Sequence, residues 1–430
     1  MLQTIKRGKY LDQLIDKREN GAIKVITGLR RCGKSYLLFD IFYDYLLSHG
    51  VKEEQIIKLA LDDDRNAKLR NPDALSEYLY SKVIGKKEMY YVLLDEVQFA
   101  ITDEELKGHE PIRLYGILNG LMQLKNADIY VTGSNSKFLS SDISTEFRGR
   151  GDEIRVNPLS FAEFYEAFKG DKYDAWDDYI TYGGMPRILS LRSDEEKTKY
   201  LSDLFKMTYV KDIVERHNLR GNVVIESLID VLASSVGSLS NPTKIASTFT
   251  SNGVNASDKT ISSYIEYLED SFLIRKAQRY DIKGRKYINS PFKYYFSDVG
   301  LRNARLNFRQ QEPTHLMENI IYNELAARGF NVDVGIVEHY VRTAGGKQQT
   351  KQLEVDFVCN RGNKRYYVQS AFSIPTEEKM QQEQASLDRI DDSFKKIIVT
   401  QDRTKPWLNQ KGYTIINTLD FLLKKNSLDI

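Results

Sequence analysis

Short apolar runs alternate with amphipathic helical stretches over the first 160 residues of this chain. Such alternation predicts an α/β fold in which helices cover a parallel sheet. The predicted strands cover residues 22–27, 55–61, 90–94, 128–132 and 154–156, and the predicted helices cover residues 35–48 and 112–124. The strand at 90–94 is apolar throughout, which is typical of a central strand that is buried on both faces.

The pattern changes twice in the rest of the chain. Residues 160–219 have a mostly helical pattern, interrupted by Tyr-Gly-Gly-Met-Pro at 182–186. Residues 223–305 contain three short helical patterns followed by a basic, strand-rich stretch. From about Thr314, one helix precedes further strands and helices. A chain of 430 residues is too long for a single core, so we expect a multidomain protein.

Composition excludes several classes of protein. The net charge of +2 means that any nucleic-acid surface must be local, and two cysteines exclude a disulfide framework and a cysteine zinc site. The N-terminus is charged and does not resemble a secretory signal. No apolar run approaches the roughly 20 residues of a membrane helix. These features predict a cytoplasmic protein with no membrane partner.

The first predicted strand leads into Gly28-x4-Gly33-Lys34-Ser35, with a helix behind it. In that setting, glycine-rich backbone N–H groups curl around phosphates, the lysine neutralises β/γ oxygens and the hydroxyl ligates Mg²⁺. The spacing therefore predicts a P-loop that binds ATP with Mg²⁺. The residues expected to contact the nucleotide are Gly28, Arg30, Arg31, Cys32, Gly33, Lys34, Ser35 and Tyr36.

A second element of this site follows the strand at 90–94, which ends in Asp95 and Glu96. A carboxylate at this point is placed to hold the magnesium, and the next one is placed to polarise an attacking water. We therefore predict Asp95 and Ser35 as metal ligands and Glu96 as the catalytic base. An acidic pair of this kind without an upstream P-loop is usually a solvated loop.

Two further sets of catalytic residues are predicted. The strand at 128–132 is followed by Ser134 and Asn135, either of which is placed to contact the γ-phosphate or the water; the alternative is that they only cap the next helix. Arg150, supported by Arg148, precedes the last strand and is a candidate arginine finger toward a neighbouring subunit. The alternative is a surface arginine paired with nearby carboxylates.

These motifs, together with Leu-Asp-Glu-Val-Gln at 94–98, Thr-Gly-Ser at 132–134 and Pro-Leu-Ser-Phe at 158–161, resemble prokaryotic AAA+-type ATPases with a C-terminal domain of unknown function. The resemblance implies that Gly184, Met185 and Pro186 lie in a helical lid and touch the nucleotide. It also implies a winged helix after the lid. The predicted domains are an ATPase core at 1–158, a lid at 159–222, a winged helix at 223–310 and a C-terminal domain at 311–430.

The middle region has its own candidate chemistry. Residues 243–248 and 257–270 predict a helix-turn-helix, and residues 281–286 a wing. Residues 275–309 contain ten basic and two acidic residues, a local net charge of +8, with tyrosines at 280, 287, 294 and 295. This mixture favours DNA contact through phosphates and stacking. Winged helices also serve as protein–protein modules, so that alternative stays open.

The last domain resembles the PD-(D/E)-x-K nuclease fold, with Glu318 on a helix and Glu354 and Asp356 on a strand. The third motif of that fold, Glu-x-Lys, is replaced here by Gln369 and Ala371. An amide is a poor Mg²⁺ ligand, and alanine cannot orient a nucleophile. We therefore predict a restriction-endonuclease-like fold without nuclease activity, although its carboxylates could retain weak metal binding.

The function that these residues favour is Mg²⁺-dependent ATP hydrolysis in a homo-oligomer with ATP sites at its interfaces, coupled to nucleic-acid binding or remodelling. Two alternatives remain from the sequence alone. One is an ATP-driven regulatory or signalling switch with no nucleic-acid substrate. The other is an active ATP-dependent nuclease.

Overall fold

A computed structural model describes residues 5–106, 109–133, 149–217, 219, 223–342 and 348–430. The chain divides into two compact units. The first comprises the residues up to Pro158 together with Asp270–Phe272. The second comprises Leu159–Glu269 and Leu273–Ile430.

The first unit contains a five-stranded parallel sheet in the order β2-β3-β4-β1-β5. Its strands are β1 (Ile23–Gly28), β2 (Ile56–Ala60), β3 (Tyr90–Asp95), β4 (Ala127–Thr132) and β5 (Gly151–Val156). The apolar strand β3 is interior, between β2 and β4, as its sequence predicts. Because all five strands are parallel, their carboxyl ends share one edge of the sheet, which is where ligands bind in open α/β folds.

Helices cover this sheet, and alternate residues of four strands form one core with α4 and α6. The helices of the first unit are α1 (Gly8–Asp16), α2 (Lys34–Tyr36), α3 (Tyr43–Ser48), α4 (Pro72–Val83), α5 (Asp103–Leu106) and α6 (Arg113–Met122). A π-helical segment, Leu37–Phe42, joins α2 to α3, so the predicted helix at 35–48 is one continuous helical run. The helix α4 is absent from the sequence-based prediction.

The second unit begins with helices and continues into an eight-stranded mixed sheet in the order β12-β13-β11-β10-β9-β8-β6-β7. Its strands are β6 (Ile274–Asp281), β7 (Lys286–Phe296), β8 (Asn331–Arg342), β9 (Gln348–Arg361), β10 (Lys364–Ala371), β11 (Lys395–Thr400), β12 (Trp407–Leu408) and β13 (Thr414–Asn417). Its helices are α7 (Phe161–Ala167), α8 (Lys172–Tyr182), α9 (Asp194–Leu204), α10 (Lys211–Arg216), α11 (Val223–Ser234), α12 (Pro242–Ser251), α13 (Asp258–Asp270), α14 (Val299–Arg305), α15 (Pro313–Ala327), α16 (Glu377–Gln384) and α17 (Thr418–Leu423).

The β6–β7 hairpin requires a correction to the predicted domain plan. β6 pairs with β7 on one side and runs parallel to β8 on the other, so the hairpin belongs to the same sheet as the C-terminal strands. A boundary at residue 310 separates strands that share hydrogen bonds. Sequence patterns could not show this, because the pairing of β6 with β8 joins segments about 55 residues apart.

None of the helices in the described ranges is long and apolar enough to cross a membrane.

A buried ion pair stabilises the amino end of the first sheet. Lys24 on β1 is fully buried and contacts Asp128 on β4, which also accepts hydrogen bonds from Tyr130 Oη at 2.7 Å and the Glu19 N–H at 2.9 Å. The Lys24 ammonium donates a further hydrogen bond to the Ala22 carbonyl at 2.9 Å. The pair therefore connects the strand that leads into the P-loop with the neighbouring strand.

We predict that Lys24→Ala lowers the free energy of unfolding of the first unit by about 3–5 kcal/mol, because it leaves Asp128 buried without its cation. The double change Lys24→Met with Asp128→Leu should be clearly less destabilising, since neither charge remains. Denaturant unfolding of both variants measures this. A Lys24→Ala protein as stable as the wild type would show that the pair contributes nothing.

Candidate nucleotide site

The loop after β1 has the backbone of a phosphate cradle. Gly28 has a φ of 135°, and a Cβ added there would lie 2.1 Å from the Val156 carbonyl oxygen on β5. Gly33 has a φ of 100°, another conformation that favours glycine. The ammonium of Lys34 lies inside the loop and donates to the carbonyls of Gly28 at 3.0 Å and Leu29 at 3.2 Å. The glycines and lysine of the predicted motif are therefore the residues that this loop geometry requires.

The two predicted metal ligands lie together. Asp95 ends β3, is 4% exposed, and accepts hydrogen bonds from the hydroxyls of Thr132 and Ser35. Burial raises the pKa of Asp95, and these two hydrogen bonds oppose the shift. A hydroxyl beside a carboxylate at the end of a P-loop is a ligand set of hard oxygens that suits Mg²⁺.

The predicted base, Glu96, is held next to this pair. Its backbone is in the left-handed region, with a φ of 52°, and its N–H donates to Thr132 Oγ1 at 3.2 Å. Its carboxylate accepts a hydrogen bond from the Gln98 side-chain amide. The Glu96 carboxylate is partly exposed, so its position next to Asp95 leaves it accessible to water.

Thr132, the last residue of β4, is the functional residue that the sequence analysis missed. Its single hydroxyl joins the two acidic residues by donating to Asp95 and accepting from the Glu96 N–H. The signal was present in the sequence, since Thr132 is the polar residue that ends an apolar strand. Ser134 and Asn135, which are predicted to contact the γ-phosphate or the water, lie outside the described residues, as does Arg148.

The other predicted P-loop residues are less uniform in exposure. Arg31 is exposed and left-handed at a φ of 61°, whereas Arg30 and Tyr36 are partly buried. Cys32 is fully buried, its thiol donates to the Val156 carbonyl at 3.4 Å, and burial raises its pKa. Cys32 therefore has its side chain directed into the protein, and any contact of this residue with the nucleotide is through its backbone.

Arg150 lies at the opposite end of the sheet from the P-loop. Its carbonyl accepts from the Ile23 N–H at 2.9 Å, and the register places Gly151 beside Ile23 and Val156 beside Gly28. Five to six strand residues separate the two ends, about 20 Å at the usual rise. The arginine is exposed. It is therefore too far along β5 to serve the P-loop of its own chain.

The Gly-Gly-Met-Pro turn lies in the second unit. The Gly184 N–H donates to Asp298 at 2.7 Å, and its carbonyl accepts from the Leu159 N–H at 2.8 Å. Met185 is fully buried, and Pro186 begins a short 3₁₀ helix. These contacts give the motif a structural role within its own unit. Contact of Met185 and Pro186 with nucleotide stays a prediction.

A second polar cluster lies in the eight-stranded sheet and is centred on Lys293 of β7. The Lys293 ammonium is 2.9 Å from Glu318 on α15, 2.7 Å from Glu354 and 3.9 Å from Asp356 on β9. Tyr295 Oη donates to the same Glu318 oxygen at 2.6 Å. Although burial favours the neutral amine, the three carboxylates raise the pKa of Lys293, so it is charged at neutral pH.

The carboxylates predicted as residual metal ligands therefore surround a lysine of the chain itself. Burial, reinforced by the charge of Glu318, raises the pKa of Asp356 well above its usual range. Gln369 Oε1 accepts from the Asp356 N–H at 3.4 Å, and Ala371 is buried. No group of three or more His, Cys, Asp or Glu side chains in the described ranges is arranged to hold a metal ion.

Fewer of the basic residues at 275–309 are exposed than the net charge of this segment suggests. Arg279, Lys293 and Arg302 are all at least 93% buried, and Arg305 pairs with Asp230 at 2.6 Å. Tyr294 and Tyr295 are also buried. The +8 therefore overestimates the exposed charge, because several of these cations are buried or paired with acidic side chains. Lys283, Arg285 and Lys286, at the hairpin turn, remain exposed.

Two parts of the chain match protein-family models. Residues 20–165 match the family model described as an AAA domain, and residues 173–312 match a domain of unknown function, DUF8612. An uncharacterized protein of Haemophilus influenzae is 34% identical over 425 residues, which are 98% of this chain and 99% of that protein. Uncharacterized protein MJ1544 of Methanocaldococcus jannaschii is 28% identical over 382 residues, covering 84% of this chain and 78% of the relative.

Among solved structures, the Walker-type ATPase PABY2304 of Pyrococcus abyssi matches 70% of this chain and 96% of its own. The identity is 14% and the TM-score is 0.49, which is too low to support an inference about function. The match of residues 20–165 to the AAA domain defines the class of the first unit. The first unit is a P-loop ATPase domain of the AAA type, and the chain belongs to the same family as the Haemophilus influenzae protein.

We predict that Thr132→Val keeps ATP affinity but lowers turnover at saturating ATP by about tenfold or more, because Asp95 and Glu96 lose their shared hydroxyl. Thr132→Ser, which retains the hydroxyl, is the matched control and should stay within a few-fold of the wild type. Steady-state phosphate release together with calorimetric ATP titration measures both quantities. Equal turnover in Thr132→Val and the wild type would remove Thr132 from the site.

Proposed function

We propose that this chain is an ATPase that requires Mg²⁺, hydrolyses ATP between copies of itself, and couples hydrolysis to nucleic-acid binding. The observation that carries the ATPase part is the hydrogen-bonded group of Ser35, Asp95, Thr132 and Glu96 beside the P-loop lysine. It brings together on one sheet edge every kind of side chain that phosphoryl transfer requires from the chain itself.

Each residue then has a distinct task. Lys34 leaves its carbonyl partners for the β/γ-phosphate oxygens when ATP binds, and backbone N–H groups of the loop bind the same phosphates. Ser35 and Asp95 would hold Mg²⁺, which neutralises charge on the transferring phosphoryl group when bound. Glu96 takes the proton of the attacking water, and Gln98 and Thr132 keep its carboxylate and backbone in place.

Arg150 is proposed to act on the ATP of a neighbouring copy. Its distance from its own P-loop and its exposure leave it available only to a second chain. Asp152, one of the carboxylates considered as its partner, already contacts Lys17 at 2.7 Å and Asn20 at 2.6 Å. Met185 and Pro186 are proposed to contribute to the nucleotide site from the lid, as the family resemblance implies.

The middle region has the element order of a winged helix. α11, α12 and α13 precede the β6–β7 hairpin, and an isolated antiparallel bridge joins Ser240, before α12, to Phe292 of β7. Ser257 caps α13 by accepting from the Thr260 N–H at 3.1 Å. These features support a winged helix whose turn carries the exposed cations Lys283 and Arg285. We propose that this turn contacts DNA.

We propose that the C-terminal sheet is a nuclease-like domain without nuclease activity. The ammonium of Lys293 is within 4 Å of the three carboxylates that would be metal ligands in such a fold. A cation already fixed by the protein at that point takes the place of a divalent ion. The replacement of the Glu-x-Lys motif by Gln369 and Ala371 also supports the absence of nuclease activity.

The roles of Glu96 in hydrolysis and of Lys34 in ATP binding can be distinguished by substitution. We predict that Glu96→Gln binds ATP normally and hydrolyses it roughly 10²-fold more slowly, because the amide cannot accept the water proton. Lys34→Ala should instead lose ATP affinity, because the phosphates lose their loop cation. Calorimetric titration with single-turnover hydrolysis distinguishes the two. Near-normal hydrolysis by Glu96→Gln would move the base to another residue, and unchanged binding by Lys34→Ala would exclude this site.

The shared site can be tested by mixing chains. We predict that Arg150→Ala binds ATP and fails to hydrolyse it, yet recovers partial activity when mixed with Glu96→Gln. Some interfaces in the mixture then combine an intact Glu96 with an intact Arg150. Arg150→Ala mixed with the double variant Glu96→Gln/Arg150→Ala controls for a general effect of mixing and should stay inactive, because no chain in that mixture has an intact Arg150. Absence of recovery, with mixed assemblies demonstrated by mass, would contradict a site built by two chains.

A separate experiment tests whether the C-terminal domain cleaves DNA. We predict no cleavage of single- or double-stranded DNA with Mg²⁺ or Mn²⁺, and a loss of about 3–5 kcal/mol of stability in Lys293→Met, because three carboxylates lose their cation. Lys276→Met, which removes a partly exposed lysine of the same hairpin, is the stability control. Metal-dependent cleavage by the wild type that disappears in both Lys293→Met and Asp356→Ala would overturn the proposal.

A further inference from the structure

A cavity of about 660 Å³ lies in the second unit, away from the Lys293 cluster, and no match assigns a role to it. It is formed by the β6–β7 turn, the β9–β10 turn and the loop at 390–394. Its volume is in the range of ligand sites. Ile282 and Ile390 contribute to its lining and belong to the hydrophobic core of the sheet, so this part of the wall is fixed.

The cations of this cavity come from two separate turns. Lys283 and Arg285 lie on the β6–β7 turn, and Lys364 begins β10 directly after the β9–β10 turn. All three are exposed, and Lys364 is 3.3 Å from the exposed carboxylate of Asp429. Two acidic residues, Asp391 and Asp392, also line the cavity. Asp391 is 3.8 Å from Lys283, a distance typical of a weak surface pair.

Asp392 has a structural role instead. It accepts from Tyr367 Oη at 2.6 Å and from the Phe394 N–H at 3.2 Å, so its carboxylate holds the loop that carries Phe394. The four basic side chains that line the cavity are Lys283, Arg285, Lys364 and Arg365. They outnumber the two lining carboxylates, and the contact of Lys364 with Asp429 is an exposed, weak surface pair. The charge of the cavity favours an anionic ligand.

The aromatic side chains define the ligand further. The Arg365 guanidinium lies 5.3 Å from the Phe394 ring centre and 5.8 Å from that of Tyr280, and donates to the Asn360 amide oxygen at 2.8 Å. Phe394 is nevertheless 40% exposed. An exposed ring fixed beside a guanidinium, with lysines near it, is a platform on which a nucleobase can stack. The exposed Asn363 amide also lines the cavity and can bond a base edge.

The charge of α13 argues against duplex readout. α13, the helix that would enter a groove in a winged helix, contains four acidic residues and one lysine. Its carboxylates would repel phosphates on both sides of a groove. The positive charge is concentrated instead at the turns around the cavity. Ring faces are accessible to bases only where a strand is unstacked.

We propose that this cavity binds single-stranded DNA, with one base stacked on Phe394 and the flanking phosphates on Lys283, Arg285 and Lys364. The inference deepens the nucleic-acid part of the proposed function and rests on it. It adds Lys364 and Phe394 to the proposed DNA contacts, and both residues lie outside the basic segment 275–309.

The test uses the full chain and fluorescein-labelled single-stranded dT15, a matched 15-base-pair duplex and free dTMP, with binding followed by anisotropy at low salt. We expect dT15 to bind more tightly than the duplex or dTMP. Phe394→Ala should weaken dT15 binding by about tenfold, the scale of one lost stacking contact. Lys364→Glu should weaken it and flatten its salt dependence.

Trp407→Ala and Lys405→Glu are the matched controls, because they change an exposed aromatic ring and an exposed lysine elsewhere on the same unit. Both should bind dT15 like the wild type, and basal ATP hydrolysis should be unchanged in Phe394→Ala. If the wild type binds dT15 and neither Phe394→Ala nor Lys364→Glu weakens that binding, the cavity is not the binding site. The proposed nucleic-acid function would stand in that case. Equal or tighter binding of the duplex or of dTMP would overturn its preference for single strands. No binding of any DNA by the wild type would overturn the nucleic-acid part of the proposed function with it.

Discussion

The parallel pairing of β1 with β4, and of β4 with β3, is the constraint on which the ATPase site depends. It brings the P-loop after β1, Thr132 at the end of β4 and Asp95 at the end of β3 to a single edge. The same alignment fixes their relative height, so that one threonine hydroxyl contacts both acidic residues. The buried Lys24–Asp128 pair joins β1 and β4 at the opposite edge. Polar contacts therefore join β4 to the end of β3 at one edge and to β1 at the other.

Much of this first unit could be predicted from the sequence, because its information is local. A β-branched strand followed by Gly-x4-Gly-Lys-Ser specifies both the loop and its chemistry, and an apolar strand ending in Asp95 and Glu96 specifies the partner. Thr132 was missed because its role exists only when β4 lies between β1 and β3. That order depends on long-range pairing, which residue patterns do not encode directly. The helix α4 was missed as well, although its cap Asn71 and the spacing of Leu75, Leu79 and Val83 are local signals of a helix.

The second unit shows where a charge count misleads. Lys293 contributes to the +8 of residues 275–309, yet it is 4% exposed and surrounded by carboxylates from α15 and β9. Only the fold reveals that these partners, 25 to 63 residues away in sequence, neutralise it. The lysines and arginine at the β6–β7 turn have the same sequence signature but remain exposed. Within residues 275–309, Lys293 is therefore a buried counter-ion for carboxylates, whereas the cations of the β6–β7 turn lie on the surface.

The central claim is that ATP is hydrolysed at the edge formed by β1, β3 and β4. The most direct measurement is ATP turnover of the full chain at saturating ATP, with Mg²⁺ or with EDTA, in the presence and absence of single-stranded DNA. We predict saturable turnover that requires Mg²⁺ and rises when DNA is added. Stoichiometric ATP binding with no turnover under any of these conditions would contradict the claim, and would leave this site as a nucleotide binder alone.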